Sequence, residues 1–334
     1  MRESDIRPDH LMTEYLKLSA ADASRFFPDV SVLPKGACPG CGGEQTEDRF
    51  IKNGFPIVAC TDCGTLFANP RPTGEQLAEF YRNSASARYW ANTFFPAVAE
   101  ARRQAIFEPR ARRVLELSAT FGNNLKSIID VGAGVGLFLQ EVACLNPSLD
   151  LRAVEPGRDA ARECRNKGLE TFEGFADEAV RDEYWCRTAD LVVSFEVIEH
   201  LAEPETFVRS LGALARPGGL ILVSGLCGDG FDIQTLGPRA SAVSTPHHLT
   251  FLSQQGVRTL FERAGLDILL FETPGKLDVE IVEKALRADD AAVTDPSLRN
   301  LLLEADDAAR ADYQASLVQQ GRSSHMWVMA RLPG

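Results

Sequence analysis

From residue 126 onward the chain alternates short apolar runs with helical stretches, and that alternation limits it to a parallel α/β sheet. Ser127 to Val131 reads as a buried strand and Val135 to Leu145 as a helix. Leu151 to Glu155 is the next strand, and Asp159 to Lys167 a helix stopped at Gly168. Glu170 to Phe172 and Asp190 to Phe195 continue the strands. Pro204 to Ala215 is a helix closed by Pro217-Gly218-Gly219, with Leu220 to Leu226 as the strand after it. Ser253 caps an expected helix to Ala264, with Gly265 as its stop, and Leu266 to Phe271 follows as a strand. Residues 277–320 read as helices because Leu277, Ile281, Ala285 and Leu286 share one face, and Met326 to Leu332 reads as a last strand. The final two strands are therefore expected to be split by a helical insertion.

The N-terminal part is organised differently. At 334 residues there is room for about two domains, or one large domain with appendages. Residues 1–35 form a lead-in, with a short helix around Leu11, Tyr15, Leu16 and Leu18. Residues 36–72, rich in Cys, Gly and Pro, form a compact module. Residues 73–124 form a helical connector or lid. Leu77, Phe80 and Tyr81 fall at helical spacing in it, and a long helix over 97–121 stops at Gly122-Asn123-Asn124. Residues 125–334 make up the α/β domain.

The compact module carries Cys38-x2-Cys41-x18-Cys60-x2-Cys63, the spacing of a zinc ribbon. Gly40, Gly42 and Gly64 permit the tight turns. Four thiolates leave no open coordination position, so a zinc ion held by Cys38, Cys41, Cys60 and Cys63 is structural. The other cysteines (Cys144, Cys164, Cys186 and Cys227) read as small buried hydrophobes.

Charge narrows the partners. A net charge of −12 argues against nucleic acid. No run of 18 apolar residues is present, so no membrane span is expected. Met1-Arg2-Glu3-Ser4-Asp5 leads into no apolar stretch, so a cytoplasmic protein is the expectation. One basic stretch, Arg102, Arg103, Arg110, Arg112 and Arg113, is either a salt-bridged helix face or a contact for a phosphate on a small-molecule substrate.

A second motif, Asp130-Val131-Gly132-Ala133-Gly134-Val135-Gly136, joins an expected strand to an expected helix. Glycines at such a turn let a ligand approach the backbone closely. Glu155 ends the next strand, 19 residues beyond Gly136, where a carboxylate can accept both hydroxyls of a ribose. The spacing is G-x-G-x-G and not the dinucleotide G-x-G-x-x-G, and a carboxylate at Asp130 is awkward for a pyrophosphate. It suits a ligand bearing an ammonium and a sulfonium, which points to S-adenosylmethionine and away from a nicotinamide cofactor.

Four segments carry a resemblance: Asp130 to Gly136, Ala153-Val154-Glu155-Pro156, Ser194-Phe195-Glu196-Val197-Ile198-Glu199-His200 and Leu214-Ala-Arg-Pro-Gly-Gly219. In order, they resemble the motifs of class I S-adenosylmethionine-dependent methyltransferases. The cysteine module, ending Cys63-Gly-Thr-Leu-Phe-Ala-Asn-Pro-Arg-Pro72, and the segment His247-His-Leu-Thr-Phe-Leu-Ser253 resemble a bacterial subgroup with an N-terminal zinc-binding lead-in. The resemblance implies a Rossmann-like seven-stranded sheet of order 3-2-1-4-5-7-6 with the last strand antiparallel. It implies that Gly132, Gly134 and Gly136 line the methionine part of the cofactor, that Glu155 holds the ribose, and that Gly174 and Phe175 lie near the adenine. Phe195 and Glu196 would face cofactor or substrate. The subgroup is associated with sugar, surface-polysaccharide and natural-product tailoring.

Methyl transfer to a hydroxyl benefits from a base near pH 7, and histidine fits. His247 and His248 lie in a loop beyond a strand's carboxyl end, where α/β ligands bind, and His200 follows the fourth strand. Glu196, Glu199 and His200 are an alternative metal ligand set that the chemistry does not require. The reading is therefore O-methylation of a sugar, nucleotide-sugar or natural product, with a homo-oligomer left open. Carbon methylation of a keto-sugar through an enolate is the rival chemistry, disfavoured because only about 60 residues follow the sixth strand. A non-catalytic scaffold is the rival class.

Overall fold

The computed structural model describes residues 2–122 and 124–334. Met1, and Asn123 of the expected stop signal, lie outside the described residues. The strands are β1 (Thr46–Lys52), β2 (Phe55–Cys60), β3 (Leu66–Ala68), β4 (Ser127–Val131), β5 (Asp150–Glu155), β6 (Glu170–Glu173), β7 (Ala189–Phe195), β8 (Ala215–Leu226), β9 (Thr250–Phe251), β10 (Asp267–Glu272) and β11 (His325–Arg331). They form two sheets.

The larger sheet has seven strands in the order β10-β11-β8-β7-β4-β5-β6. Counting only its own strands, that is 3-2-1-4-5-7-6, as the sequence motifs imply. The strands β6, β5, β4, β7 and β8 run parallel, and β11 is antiparallel to both β8 and β10. Alternation of side chains sets the two faces. Ile129, Val192, Ile221, Val223 and Val328 pack under Val208, Leu211, Val257 and Leu260 of the helices Pro204–Leu214 and Gln254–Arg263. Ile128, Leu191, Leu220, Leu222 and Met329 pack on the other face under Val114, Leu117, Leu139 and Val142, from the helices Glu108–Phe121 and Leu137–Leu145.

The smaller sheet, β1-β2-β3-β9, carries the cysteines at its turns. Its fourth strand comes from the α/β part: Leu66 and Phe67 of β3 pair antiparallel with Phe251 and Thr250. Leu252 also forms a parallel bridge to Cys227, just past β8. Thus one short segment, 250–252, ties the cysteine module to the large sheet.

The insertion between β10 and β11 consists of the helices Asp278–Ala288, Pro296–Glu304 and Asp307–Gln319. Its Val282, Leu286, Leu302 and Leu317 share one core with Phe55, Ile57, Leu66 and Phe80 of the N-terminal part. Lys284 binds Glu3 at 3.1 Å and also pairs with Asp9. The lead-in helix is longer than expected, Asp9–Phe26, because Tyr15, Ser19, Asp22 and Ala23 form a buried face that stabilises it. No helix among the described residues is long and apolar enough to cross a membrane.

Candidate active site

The loop after β4 is built by conformation first. Gly132, Gly134 and Gly136 have φ of 78°, 55° and 75°, the left-handed region that favours glycine. A Cβ on Gly132 would sit 2.5 Å from Val197 Cγ2, and one on Gly136 would sit 2.7 Å from Leu169 Cδ1. One on Gly134 would meet nothing within 4 Å. Two of the glycines therefore serve packing, and the middle one faces open space at the start of the helix Leu137–Leu145.

Two carboxylates border that space. Asp130 is buried, and its Oδ1 has no hydrogen-bond partner. Burial pushes it up to about 8, with Arg110 opposing and Glu155 adding to the rise. Glu155 accepts the Gly134 N–H at 2.8 Å and the Gly157 N–H at 2.7 Å. Burial raises its pKa, and those two N–H groups offset part of the rise. A carboxylate has about four acceptor positions, so Glu155 keeps capacity for further donors. An open backbone turn, an orphaned acid and a half-used carboxylate fit a ligand that brings both positive charge and hydroxyl donors.

On the far side of the loop, β7 ends in Phe195 and Glu196. Phe195 packs on Phe138 at 4.7 Å, and the Arg110 guanidinium lies 4.4 Å from its ring centroid. Glu196 holds φ at 56°, uncommon for a non-glycine and a mark of functional sites. Its carboxylate accepts Ser224 Oγ at 2.7 Å and Arg110 at 3.3 Å, and faces His325 Nδ1 at 3.3 Å. Burial would raise Glu196, but His325, Arg110 and Ser224 outweigh it and hold it at about 2. Arg102 stacks against Trp90 and Phe95 at 5.9 and 5.8 Å, and its buried Nε has no partner. Burial lowers Arg102 to about 10, with the like charges of Arg7 and Arg110 contributing. It remains cationic at pH 7, so Arg102 and Arg110 both act on the Glu196 carboxylate.

The three expected histidines come together, but they do not face the same way. The Leu249 N–H donates to the Glu199 carbonyl at 2.8 Å and Thr250 Oγ1 to the Leu201 carbonyl at 2.8 Å. Those bonds lay the His247–His248 loop against the turn Ile198–His200. The His200 and His248 rings meet edge to face at 4.7 Å. His200 Nδ1 bonds Tyr81 Oη at 2.8 Å, and the Tyr81 hydroxyl donates to the His247 carbonyl at 3.1 Å. His248 Nδ1 donates to the Ala242 carbonyl at 2.6 Å. His247 is buried among Tyr15, Phe80 and Tyr81, and its Nε2 bonds Ser86 Oγ at 2.9 Å. Ser86 in turn donates to Asp22 at 2.7 Å. Burial lowers all three, His247 to about 3 and His248 to about 4, so each is neutral at pH 7.

A model described as "Methyltransferase domain" matches residues 99–270, half of the chain. The chain belongs to this methyltransferase family. Two relatives are named ubiquinone biosynthesis O-methyltransferase. The one from Methylocella silvestris is 34% identical over 109 residues, 30% of this chain and 39% of its own length. The one from Cupriavidus pinatubonensis is 30% identical over 104 residues, 30% of this chain and 41% of its own length. The chain therefore spans about two fifths of the length of these curated relatives. The solved structure of the plantazolicin methyltransferase BpumL in complex with SAH has a TM-score of 0.49 and 11% identity, covering 77% of this chain and 94% of its own.

In the methyltransferase-family chain the four cysteines of the N-terminal motif lie with all their Sγ atoms within 4.8 Å of one another. The pairs Cys38–Cys63 and Cys41–Cys60 stand 3.6 and 3.5 Å apart, far beyond the ~2.05 Å of a disulfide. They are near the ~3.8 Å edge of a tetrahedron with ~2.3 Å metal–sulfur bonds. The donor set fits a closed zinc site.

Other expectations divide. Gly174 donates its N–H to the Glu155 carbonyl at 3.2 Å, placing it beside the loop, while Phe175 is 56% exposed. The basic stretch splits by helix face. Arg103, Arg112 and Arg113 pair with Glu100 and Glu141, Glu108, and Glu272, whereas Arg102 and Arg110 point inward. Glu196 does not join Glu199 and His200 as a ligand set, because its carboxylate is taken by Ser224, Arg110 and His325. Cys164 and Cys227 are buried as expected, but Cys144 is exposed, since it lies on the outer face of its helix. Sequence reasoning missed Tyr81 at the site, because it was visible only as a member of a helical stripe.

Proposed function

We propose that this chain is a cytoplasmic S-adenosylmethionine-dependent methyltransferase that methylates a hydroxyl of a small, anionic acceptor such as a sugar, nucleotide-sugar or natural-product intermediate. The observation that carries the reading is the open turn at Gly134 between the orphaned Asp130 and the half-satisfied Glu155. Gly132, Gly134 and Gly136 would border the methionine part of the cofactor, with Asp130 toward its positive charges. Glu155 would take the ribose, Gly174 and Phe175 the adenine side, and Phe195 and Glu196 the side where the acceptor enters. The cofactor supplies an activated methyl group, so the protein's own task is chiefly to position the acceptor oxygen and exclude water.

An oxygen acceptor agrees with the O-methyltransferase name of the curated relatives. Arg102, with a buried Nε that has no partner, and Arg110 beside it support an acceptor phosphate or carboxylate, since a buried cation favours an anion strongly. His200 and His248, neutral and with Nε2 free of hydrogen bonds among the described residues, are the groups we place nearest the acceptor hydroxyl. His247, bound to Ser86, orients their loop. Cys38, Cys41, Cys60 and Cys63 would hold a structural zinc ion.

Calorimetric titration with S-adenosylmethionine and S-adenosylhomocysteine tests the reading, with Glu155→Ala as control. Binding that weakens at least tenfold in the variant supports it and justifies screening phosphorylated sugars for a mass gain of one methyl group. Absence of binding by folded wild-type protein sinks it.

A further inference from the structure

Glu199 and His248 lie 49 positions apart in sequence, yet with His200 they bring one carboxylate oxygen and two ring nitrogens within 4.8 Å of one another. We propose that these three side chains form a binding site for a divalent first-row metal ion, separate from the four cysteines and open to the acceptor.

Three observations carry this. First, Glu199 is 2% exposed, and its Oε2 has no hydrogen-bond partner. Gly225 on β8 makes the room for it, since a Cβ there would lie 2.8 Å from that same oxygen. A buried, unpartnered carboxylate oxygen is costly unless a donor or a cation completes it.

Second, both imidazoles are held through Nδ1, which leaves Nε2 without a hydrogen-bond partner among the described residues. The His248 Nδ1–H donates to the Ala242 carbonyl. The Tyr81 hydroxyl proton is committed to the His247 carbonyl, so the His200 Nδ1–H donates to the Tyr81 oxygen. Each ring therefore presents a bare Nε2 lone pair. Ligating histidines are oriented in this way by a second hydrogen bond on the opposite ring nitrogen.

Third, the donor set suits an open site. Two imidazoles and one carboxylate match Zn2+, Mn2+, Fe2+ or Co2+, and three protein ligands leave positions for water or substrate. The donor atoms lie within 4.8 Å of one another, a range that includes the ~3–4.2 Å between ligands about 2.1 Å from one ion. Two metal sites of opposite kind would thus share the chain: a closed thiolate cage and an open site beside Glu196 and Arg110. At the open site the ion would bind the acceptor hydroxyl and lower its pKa, its proton passing to water as the oxygen–methyl bond forms and the sulfur–methyl bond breaks. That role rests on the methyl-transfer reading above, whereas the ion site itself does not.

The test uses the full chain and two ions. Mn2+ is followed by loss of its free-ion electron paramagnetic resonance signal, because thiolates disfavour so hard a cation. Zn2+ is counted by native mass spectrometry. We expect about one Mn2+ per wild-type chain. Glu199→Gln and His248→Gln should bind it at least tenfold more weakly and carry one Zn2+ fewer than the wild type. His10→Ala, a surface change, should match the wild type. Circular dichroism melts confirm that each variant is folded. If folded wild-type protein binds no Mn2+ and carries no more Zn2+ than both variants, the site does not exist. Calorimetry with S-adenosylmethionine on the same samples separates the two claims. Ion binding without cofactor binding leaves this site standing and removes the transferase reading. Full methylation of an acceptor after exhaustive chelation removes the ion's role in the reaction.

Discussion

The Gly134 N–H donates to Glu155 Oε2 at 2.8 Å, so the turn after β4 and the tip of β5 are held as one piece. A Cβ at Gly134 keeps that bond but projects into the open space, whereas a Cβ at Gly132 strikes Val197 beside Glu196. Gly134→Ala should cost only roughly 1–2 kcal/mol of stability, the left-handed penalty, yet lower S-adenosylmethionine affinity at least tenfold. Gly132→Ala should destabilise more, since clash adds to strain. Urea melts and calorimetry on the two variants would show whether these effects separate.

Asp130 makes cofactor binding depend on pH. Burial holds it near 8 in the free protein, so the folded chain keeps a proton that the unfolded chain loses near 4. Its contribution to stability is thus fully present below about pH 4 and is lost as pH rises through about 8. A cationic ligand reverses the preference and expels the proton. Affinity should therefore rise from pH 6 to about 8 and then level off, with up to one proton released at pH 7. Titrations in two buffers of different ionisation enthalpy measure that proton. Asp130→Asn should show neither the slope nor the release.

The cysteine cage should be structural. Cys41→Ser should abolish the bound zinc of that site and remove several kcal/mol of folding free energy, lowering Tm by at least ~6 °C. Because the Gly134–Glu155 turn is held by bonds of its own, the S-adenosylmethionine affinity of protein that remains folded should change less than threefold. Zinc content, melting and calorimetry on one preparation check all three points.

The inward arginines should select the acceptor. Arg102→Met keeps an apolar stem but removes the guanidinium that lies over Trp90 and Phe95 and whose Nε has no hydrogen-bond partner. For a phosphorylated acceptor, KM should rise about tenfold or more, a loss of roughly 1.5–3 kcal/mol, with S-adenosylmethionine affinity unchanged. Equal effects on a phosphate-free analogue would count against this.

Ser253 joins two parts of the molecule. Its Oγ accepts the Gly256 N–H at 2.9 Å, capping the helix Gln254–Arg263, and donates to the Cys63 carbonyl. Ser253→Ala should cost about 1–2 kcal/mol, measurable as a shift in the urea midpoint.

The α/β sheet was legible because most strands are short apolar runs and the helices between them carry their own apolar periodicity and stops such as Gly168 and Gly265, so local pattern and topology agree. The split last pair, β10 and β11, could be read for the same reason. The Gly132–Gly136 turn, Glu155 and the cysteine spacing were legible because their chemistry depends on residues near one another in sequence. The arginines were half legible: clustering showed that residues 102–113 matter, but only helix phase separates Arg102 and Arg110 from Arg103, Arg112 and Arg113.

By itself, then, the sequence determined the order of the elements, the glycine turn and the quartet of thiols, all products of local spacing and backbone preference. Only the tertiary structure decided that β9 completes the cysteine module's sheet and that His247 turns into the core toward Ser86 and Asp22. It also decided that His248 and not Glu196 stands with Glu199 and His200. Those outcomes depend on long-range hydrogen bonds, such as Leu249 to Glu199 and Ala68 to Leu249, between segments whose pairing no short-range pattern encodes.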